Sequence, residues 1–330
     1  MTTLYSIQGD GRVARPRISD VLFQRMERRF ESLASLASNV EAVDAGMRFV
    51  AGEFPFVVVV GPSGWGKTHL LESVAAKLGQ DGYVHARTVA AADWLDGRAS
   101  VDARNHLLLD DTQDVLNRTR SRYRFRLELE RRVRIGMPTM LAVTADRPSK
   151  KAISFLPNHR DWRVYEMDEP ASRDKEKVVE RIAASEGVIL NDRLCRIIGT
   201  RMKGNGNTFH GSIVKLKSVQ SRWHSDEHIV RACGLLNLFF ADNPDWDLRE
   251  KILLSAKSTA GAHVGIDACG LACFAMKEVA HLAENDVARY CGIPQAKVHE
   301  NSVRFQDRVS VDPLAQKAFQ AFLATVVKSL

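Results

Sequence analysis

The stretch Phe56-Val-Val-Val-Val-Gly61-Pro-Ser-Gly-Trp-Gly-Lys67-Thr68-His69-Leu-Leu constrains this chain more than any other. Val57 to Val60 are β-branched without a break, which suits a strand buried on both faces. Gly61-Pro62-Ser63-Gly64-Trp65-Gly66-Lys67-Thr68 comes next and fits G-x-x-x-x-G-K-[ST]. An apolar helix is expected from His69 to Leu78. The glycines let backbone N–H groups turn inward around phosphate oxygens, and the helix start adds a positive dipole end. Lys67 would reach the β- and γ-phosphates, and Thr68 would set its hydroxyl on Mg²⁺. The cofactors implied are ATP and Mg²⁺, held by the run from Gly61 to His69. The strand before and the helix after separate this motif from a chance glycine-rich turn.

The rest of the composition sets outer limits. A length of 330 residues suits two or three domains and is ample for a core. A hydrophobic share of 45% marks a globular rather than a disordered chain. Cys195, Cys233, Cys269, Cys273 and Cys291 are odd in number and unpaired in spacing. They read as reduced thiols, and zinc is not expected. The N-terminus has no apolar signal core and no apolar run approaches a membrane span, so a soluble, cytoplasmic protein is expected. A net charge of +7 leans towards a polyanionic partner.

Residues 1–18 are polar and read as an arm. Helical spacing runs from Val21 to Phe49, for one or two helices packed on the core. After the glycine loop, Tyr83 to Ala86 reads as a second strand. His106-Leu-Leu-Leu-Asp110-Asp111-Thr-Gln is an apolar strand ending in acids. Asp110 would hold Mg²⁺, and Asp111 would polarise the attacking water. Thr139-Met-Leu-Ala-Val-Thr144-Ala-Asp146 is another buried strand; Thr144 or Asp146 at its tip could sense the γ-phosphate. Arg163 to Met167 gives a fifth strand. Five strands separated by helices imply a parallel sheet covered on both faces, with ligand at the strands' carboxyl ends. Beyond Glu169-Pro170, Ser172 to Ser185, Leu190 to Met202 and Thr208 to Ser221 read as three helices.

A small helical lid directly after a phosphate-loop core resembles the AAA+ ATPases, in particular the bacterial DnaA-type replication initiators. Four stretches carry the resemblance: Gly64 to Leu71, Leu107 to Gln113, Thr144-Ala-Asp146-Arg147-Pro148, and Trp162 to Pro170. It is good over residues 50–220 and weaker to 310. It implies a nucleotide-binding AAA+ core at 51–170, a lid at 171–224 and an all-α C-terminal domain at 225–330. Residues 1–50 leave no room for the helicase-engaging domain usual at the family's N-terminus, which is expected to be absent. The arginine by which the family's lid contacts ATP has no counterpart, since Asn207 stands there, so hydrolysis is expected to be slow. Arg160 or Arg163 could act on a neighbouring subunit's γ-phosphate, or each is a solvated charge.

Asp286-Val-Ala288-Arg-Tyr-Cys-Gly292-Ile-Pro294-Gln-Ala-Lys-Val298 has the spacing of a helix-turn-helix, preceded by a helix over Leu271 to Leu282. Pro294 suits the first turn of its second helix. That helix, Gln295 to Phe305, would enter a duplex major groove with Gln295, Lys297, His299, Asn301 and Arg304 as readers. Residues 225–330 nevertheless hold eleven Lys/Arg against thirteen Asp/Glu, which argues against strong independent binding. Positive charge gathers instead at 118–134, with eight arginines, among them Arg120, Arg122 and Arg124, and Tyr123 and Phe125 between them. Such a row can track a phosphate backbone while rings stack on bases; the alternative is a solvated helix flank.

The reading is an ATP-binding AAA+ protein that holds DNA in a nucleotide-dependent way, in replication initiation or its control. Possible self-assembly and a replication-protein partner belong to it. The alternative is an adaptor ATPase acting on another replication or mobile-element protein. A small-molecule phosphotransferase fits less well, because no acceptor site is visible.

Overall fold

Six consecutive buried residues, Phe56–Gly61, form β1 at the interior of a five-stranded sheet in the computed structural model, which describes residues 29–83, 85–102, 104–145, 153–240, 243 and 246–330. The other strands are β2 (Thr88–Ala90), β3 (Leu107–Asp110), β4 (Thr139–Thr144) and β5 (Arg163–Glu166). All pairs are parallel, in the order β2-β3-β4-β1-β5. Side chains alternate across a strand, so each strand feeds two cores. Val58, Val60, Leu107, Leu109 and Leu141 pack on one face beneath Phe125 and Leu129. Val57, Val59, Leu108 and Met140 pack on the other against Phe49, Leu70 and Val74.

The helices that cover these faces come in the expected order. They are α1 (Val40–Val50), α2 (Lys67–Gln80), α3 (Ala91–Leu95), α4 (Gln113–Leu116) and α5 (Thr119–Arg134). Among the described residues ahead of α1 there is one short 3₁₀ turn, Phe30–Ser32, and α1 begins after Asn39. The buried Asn39 side chain accepts from Leu36 N (2.8 Å) and donates to Ala34 O (2.8 Å), which holds an irregular turn inside the stretch whose spacing suggests one or two helices. The arm at 1–18 and the first part of the Val21 to Phe49 spacing lie outside the described residues.

The second strand is Thr88–Ala90, not Tyr83 to Ala86. Its register with Leu108 to Asp110 turns Val89 into the core. Tyr83 instead sets its ring edge-on to His106, 4.5 Å away.

Three helices come after the sheet: α6 (Ser172–Glu186), α7 (Asp192–Arg201) and α8 (Gly206–Lys217). Leu190 is not in α7 but in β6 (Ile189–Leu190), and α8 stops short of Ser221 because Arg222–Trp223 forms β7 against β6. Trp223 is thereby fully buried. The C-terminal part holds α9 (Asp226–Leu235), α10 (Leu248–Ala262), α11 (Ala268–Phe274), α12 (Glu284–Cys291), α13 (Gln295–Val311) and α14 (Pro313–Ser329). The helix expected over Leu271 to Leu282 ends early: α11 continues as a π turn at Ala275–Val279 and stops there, and His281 is left-handed (φ 52°). Here the Ala280 carbonyl oxygen comes so close to Gly234 that a Cβ would overlap it. One apolar cluster runs without interruption from Leu194 and Phe209 through Trp223 and Ile229 to Leu271 and Phe322. Among the described residues no helix is long and apolar enough to cross a membrane.

Arg132 belongs to the core, not to the exposed arginine row. It is 5% exposed, and it lies at i+7 from Phe125 and i+3 from Leu129 on the inward face of α5. Its guanidinium donates to Thr139 Oγ1 (2.9 Å), Asn105 O (2.6 Å) and Pro138 O (3.2 Å), tying α5 to the entry of β4. Burial pushes its pKa down to about 10, so it is still charged at neutral pH. Arg132→Met keeps the stem and relieves the desolvated charge, but strands these acceptors. A loss of about 1–2 kcal/mol is expected in urea unfolding, whereas Arg131→Met should change stability by less than about 0.5 kcal/mol.

Candidate functional site

The glycine loop leaves β1 at Gly61, where a Cβ would overlap the Met167 carbonyl oxygen. Gly64 (φ 80°) and Gly66 (φ 100°) are both left-handed, a conformation that costs glycine nothing. The first hydrogen bond of α2 runs from Leu70 N to Gly66 O (2.8 Å). The N–H groups of Lys67, Thr68 and His69 therefore stand ahead of the helical ladder, at the positive end of the dipole. Lys67 is 6% exposed, and its ammonium donates to Gly61 O (2.8 Å) and Pro62 O (2.7 Å). Burial lowers its pKa, while the charges of Asp110 and Asp111 pull it back up. The loop lysine and the acids that end β3 thus share one electrostatic site.

The strand tips meet there. Thr144 is in register with Gly61, and Ala145 N donates to Gly61 O (3.1 Å). Thr112 N donates to Ala142 O (3.1 Å), which pins the end of β3 to β4. Asp111 is left-handed (φ 50°), and its N–H donates to Asp110 Oδ1 (2.9 Å). Asp146, with Arg147 and Pro148, lies outside the described residues. Arg160 is exposed in the turn ahead of β5. Since Arg163 pairs with Val57, Arg160 sits roughly 13 Å or more down the sheet from its own loop. Arg163 stacks over Phe54, 5.6 Å from the ring.

Not every residue of the loop faces inward. His69 Nε2 lies 2.7 Å from Ser32 Oγ and 3.2 Å from Arg29 O, so its imidazole ties α2 to the segment before α1. Trp65 turns away from the loop's interior and enters the lid, edge-on to Phe209 at 6.0 Å, with Lys175 Nζ 5.5 Å above its ring. The lid also grips the loop from outside. Gly206 N donates to Gly64 O (3.0 Å), and Asn205 Nδ2 to Ser63 O (3.3 Å). Asn205 caps α8 as well, accepting from Asn207 N (3.1 Å) and Thr208 N (3.3 Å). A cavity of about 460 Å³ opens beside this contact, between Trp65, Glu169, Lys175, Thr200, Lys203 and Asn205. It touches the glycine loop only at Trp65.

The two expected DNA surfaces differ in build. On α5, Arg120, Tyr123, Arg124, Leu127 and Arg131 form one outward stripe, with Tyr123 66% exposed. Phe125 is fully buried and cannot stack on a base. Arg122 is exposed but turns its Nε and Nη2 onto Leu116 O (3.0 and 2.6 Å), closing the end of α4. On α13, Val298, Ser302 and Phe305 pack inward. Pro294 precedes the helix instead of opening it, and Gly292 makes the left-handed turn (φ 65°) after α12. The five expected readers do not share one face. Lys297, Asn301 and Arg304, at i, i+4 and i+7, lie along one side of the buried stripe, and Gln295 and His299 along the other. His299 Nδ1 meets Lys277 Nζ (2.7 Å), Arg304 reaches Asp267 (3.4 Å), and Asn301 Nδ2 reaches Cys269 Sγ (3.8 Å).

No family model matches the chain, and no curated protein matches it. Solved structures do. Domain III of the Thermotoga maritima replication initiation protein DnaA superposes with a TM-score of 0.53 at 17% identity, covering 65% of this chain and 97% of that one. The AMPPCP-bound DnaA of Aquifex aeolicus superposes with a TM-score of 0.50 at 16% identity, covering 91% and 98%. The fold is DnaA-like and AAA+.

Within this DnaA-like fold, sequence reasoning missed three residues at the site. Gln113 stands between Asp111 and Thr144, donating to the first (Nε2 to Oδ1, 3.0 Å) and accepting from the second (N to Oε1, 3.0 Å). Its signal was an amide side chain two residues beyond a strand-end acid. Asn205 was legible as a cap just ahead of a helix. Lys203 lines the cavity from the loop before α8 and carried no local signal.

Proposed function

We propose that this chain binds ATP with Mg²⁺ between its sheet and its lid, hydrolyses it slowly, and holds DNA according to nucleotide state, in replication initiation or its control. The observation that carries the reading is the buried Lys67 ammonium within a left-handed glycine loop and in the field of Asp110 and Asp111. The donor set fits the group: a cradle open only to glycine, a lysine for phosphate oxygens, and a Thr68 hydroxyl and Asp110 carboxylate suited to a hard cation. Bound there, Mg²⁺ would neutralise charge developing on the phosphates. Asp111 takes the water-activating role, Thr144 the sensing role, and Asp146 remains a candidate beside it. Arg160, far from its own loop, suits a neighbouring copy's γ-phosphate, and self-assembly would go with that role. The Aquifex aeolicus relative in fold was solved bound to AMPPCP, which agrees with this use of the loop.

For DNA, the α5 stripe is the stronger surface. Arg120 and Arg124 point outward with Tyr123 and Leu127 between them, a pattern that suits single strands. Binding is tested with labelled single strands and duplexes over a salt series, with ATP, ADP and no nucleotide. Arg120→Ala with Arg124→Ala should lower the single-strand salt slope by roughly 1.4, about 0.7 for each lost phosphate contact. An unchanged slope removes α5 from the DNA reading.

A second reading is an adaptor ATPase whose C-terminal helices bind protein. It is favoured by the acidic excess of residues 225–330 and by the engagement of His299, Asn301 and Arg304 with side chains of their own fold. ATP binding with no affinity for either DNA form at low salt would decide for it.

A further inference from the structure

The chain bends sharply just after β3. Among the described residues only Asp111, Asn158 and His281 are non-glycine residues with positive φ. Backbone strain at such a position persists where its surroundings over-determine it. At Asp111 the surroundings are explicit. Its N–H is held by Asp110 Oδ1 (2.9 Å), the next N–H by Ala142 O (3.1 Å), and its carboxylate by the Gln113 amide (3.0 Å).

Gln113 uses both ends of its amide. The NH₂ donates to Asp111 Oδ1 and the carbonyl accepts from Thr144 N. A flipped amide would set oxygen against carboxylate and NH₂ against N–H, two repulsions, so the orientation is determined by its partners. Thr144 is itself in register with Gly61. One side chain therefore references the acid after β3 to the strand tip beside the glycine loop.

We propose that Gln113 is a positioning residue for hydrolysis, fixing the Asp111 carboxylate so that Oδ1 is occupied and Oδ2 is left for the attacking water. The inference rests on the reading of this site as an ATPase with Asp111 as general base. In that step the water oxygen bonds to the γ-phosphorus. The bridging P–O bond breaks with its electron pair on the leaving ADP, and the water's proton passes to Asp111 Oδ2. Gln113 touches none of the reacting atoms; it acts through Asp111.

The test compares wild type with Gln113→Ala, Gln113→Glu, Asp111→Asn and Lys67→Met in the full chain. Readouts are steady-state hydrolysis, equilibrium binding of a fluorescent ATP analogue, and thermal unfolding. Gln113→Ala should lower kcat about 10- to 100-fold, with nucleotide Kd within about twofold of wild type and Tm near it, because only the base loses its orientation. Gln113→Glu can still accept from Thr144 N, but it faces Asp111 with a second negative charge. Its kcat should fall at least as far as that of Gln113→Ala with nucleotide Kd again within about twofold, a kcat-against-Kd split that a merely structural role would not give. If Gln113→Ala keeps kcat within twofold while Asp111→Asn is inactive, the inference is overturned and the ATPase reading stands. If Gln113→Ala instead weakens nucleotide binding tenfold at unchanged kcat, the inference is likewise overturned. Wild-type hydrolysis no faster than that of Lys67→Met overturns the ATPase reading itself, and this inference with it.

Discussion

Lys67→Met is expected to weaken ATP binding about 100-fold or more while leaving the nucleotide-free fold at least as stable. The two effects have one cause. The ammonium is desolvated, and burial is the larger influence on its pKa, opposed by Asp110 and Asp111. A charge-assisted hydrogen bond to phosphate is worth about 1.5–3 kcal/mol, and more than one donor is lost with the amine. Each 1.4 kcal/mol is tenfold in affinity. In the unliganded chain the same ammonium is a burial cost partly offset by Gly61 O and Pro62 O. This fixes the sign of the pH dependence. The folded pKa lies below the ordinary lysine value of 10.5, so between the two the unfolded chain binds more protons and stability rises with pH. Lys67→Met should lose that rise. Titration calorimetry with ATP and urea unfolding across alkaline pH measure both. An unchanged ATP affinity would remove the glycine loop as the phosphate site.

Trp65→Ala should cost about 3 kcal/mol of stability, with the loss concentrated in the lid. Trp65 is 8% exposed and is part of the apolar cluster that holds Val179, Leu194, Phe209 and Trp223. Truncating a buried tryptophan typically costs about 3–5 kcal/mol, and this ring lies at the cluster's edge, where neighbours can relax. Trp65→Phe keeps the edge-to-face contact with Phe209 and should cost about 1 kcal/mol. Amide hydrogen exchange locates the effect. Protection should fall in α6, α7 and α8 and persist in β1 and β4. A uniform loss across the sheet would mean that the ring supports the core instead of joining the two parts.

The glycine loop and the sheet were legible because local chemistry dictates them. Only glycine takes Gly64 and Gly66 to their φ values, and only a strand buried on both faces needs four β-branched residues in a row. The acids at 110 and 111 were legible for the same reason, as charges ending an apolar run. What escaped was non-local. The link from His69 to Ser32 spans thirty-seven residues of sequence, and the Arg132 partners Asn105 and Thr139 lie on other segments. Arg132 is recoverable from spacing, since it continues the Phe125–Leu129 stripe, but its charge matches the exposed row around it. The second strand is misplaced by sequence because hydrophobicity points to Tyr83, whereas pairing with β3 selects Thr88 to Ala90. The readers expected on α13 rest on position alone, and their partners on α11 and the π turn lie far away in sequence.

The apolar cluster that passes from the lid into the C-terminal helices has a mechanical meaning. Arg201 at the end of α7 donates to Leu330 O (3.0 Å), and Asn243 donates back to Arg201 O (2.8 Å). Lid and C-terminal helices therefore share one continuous core, and the span between Met167 and Ser172 is their covalent link to the sheet. Severing the chain near residue 224 would not release a free-standing module. It would lay bare Trp223 and Ile229 at the middle of that core and leave each half without its counterpart.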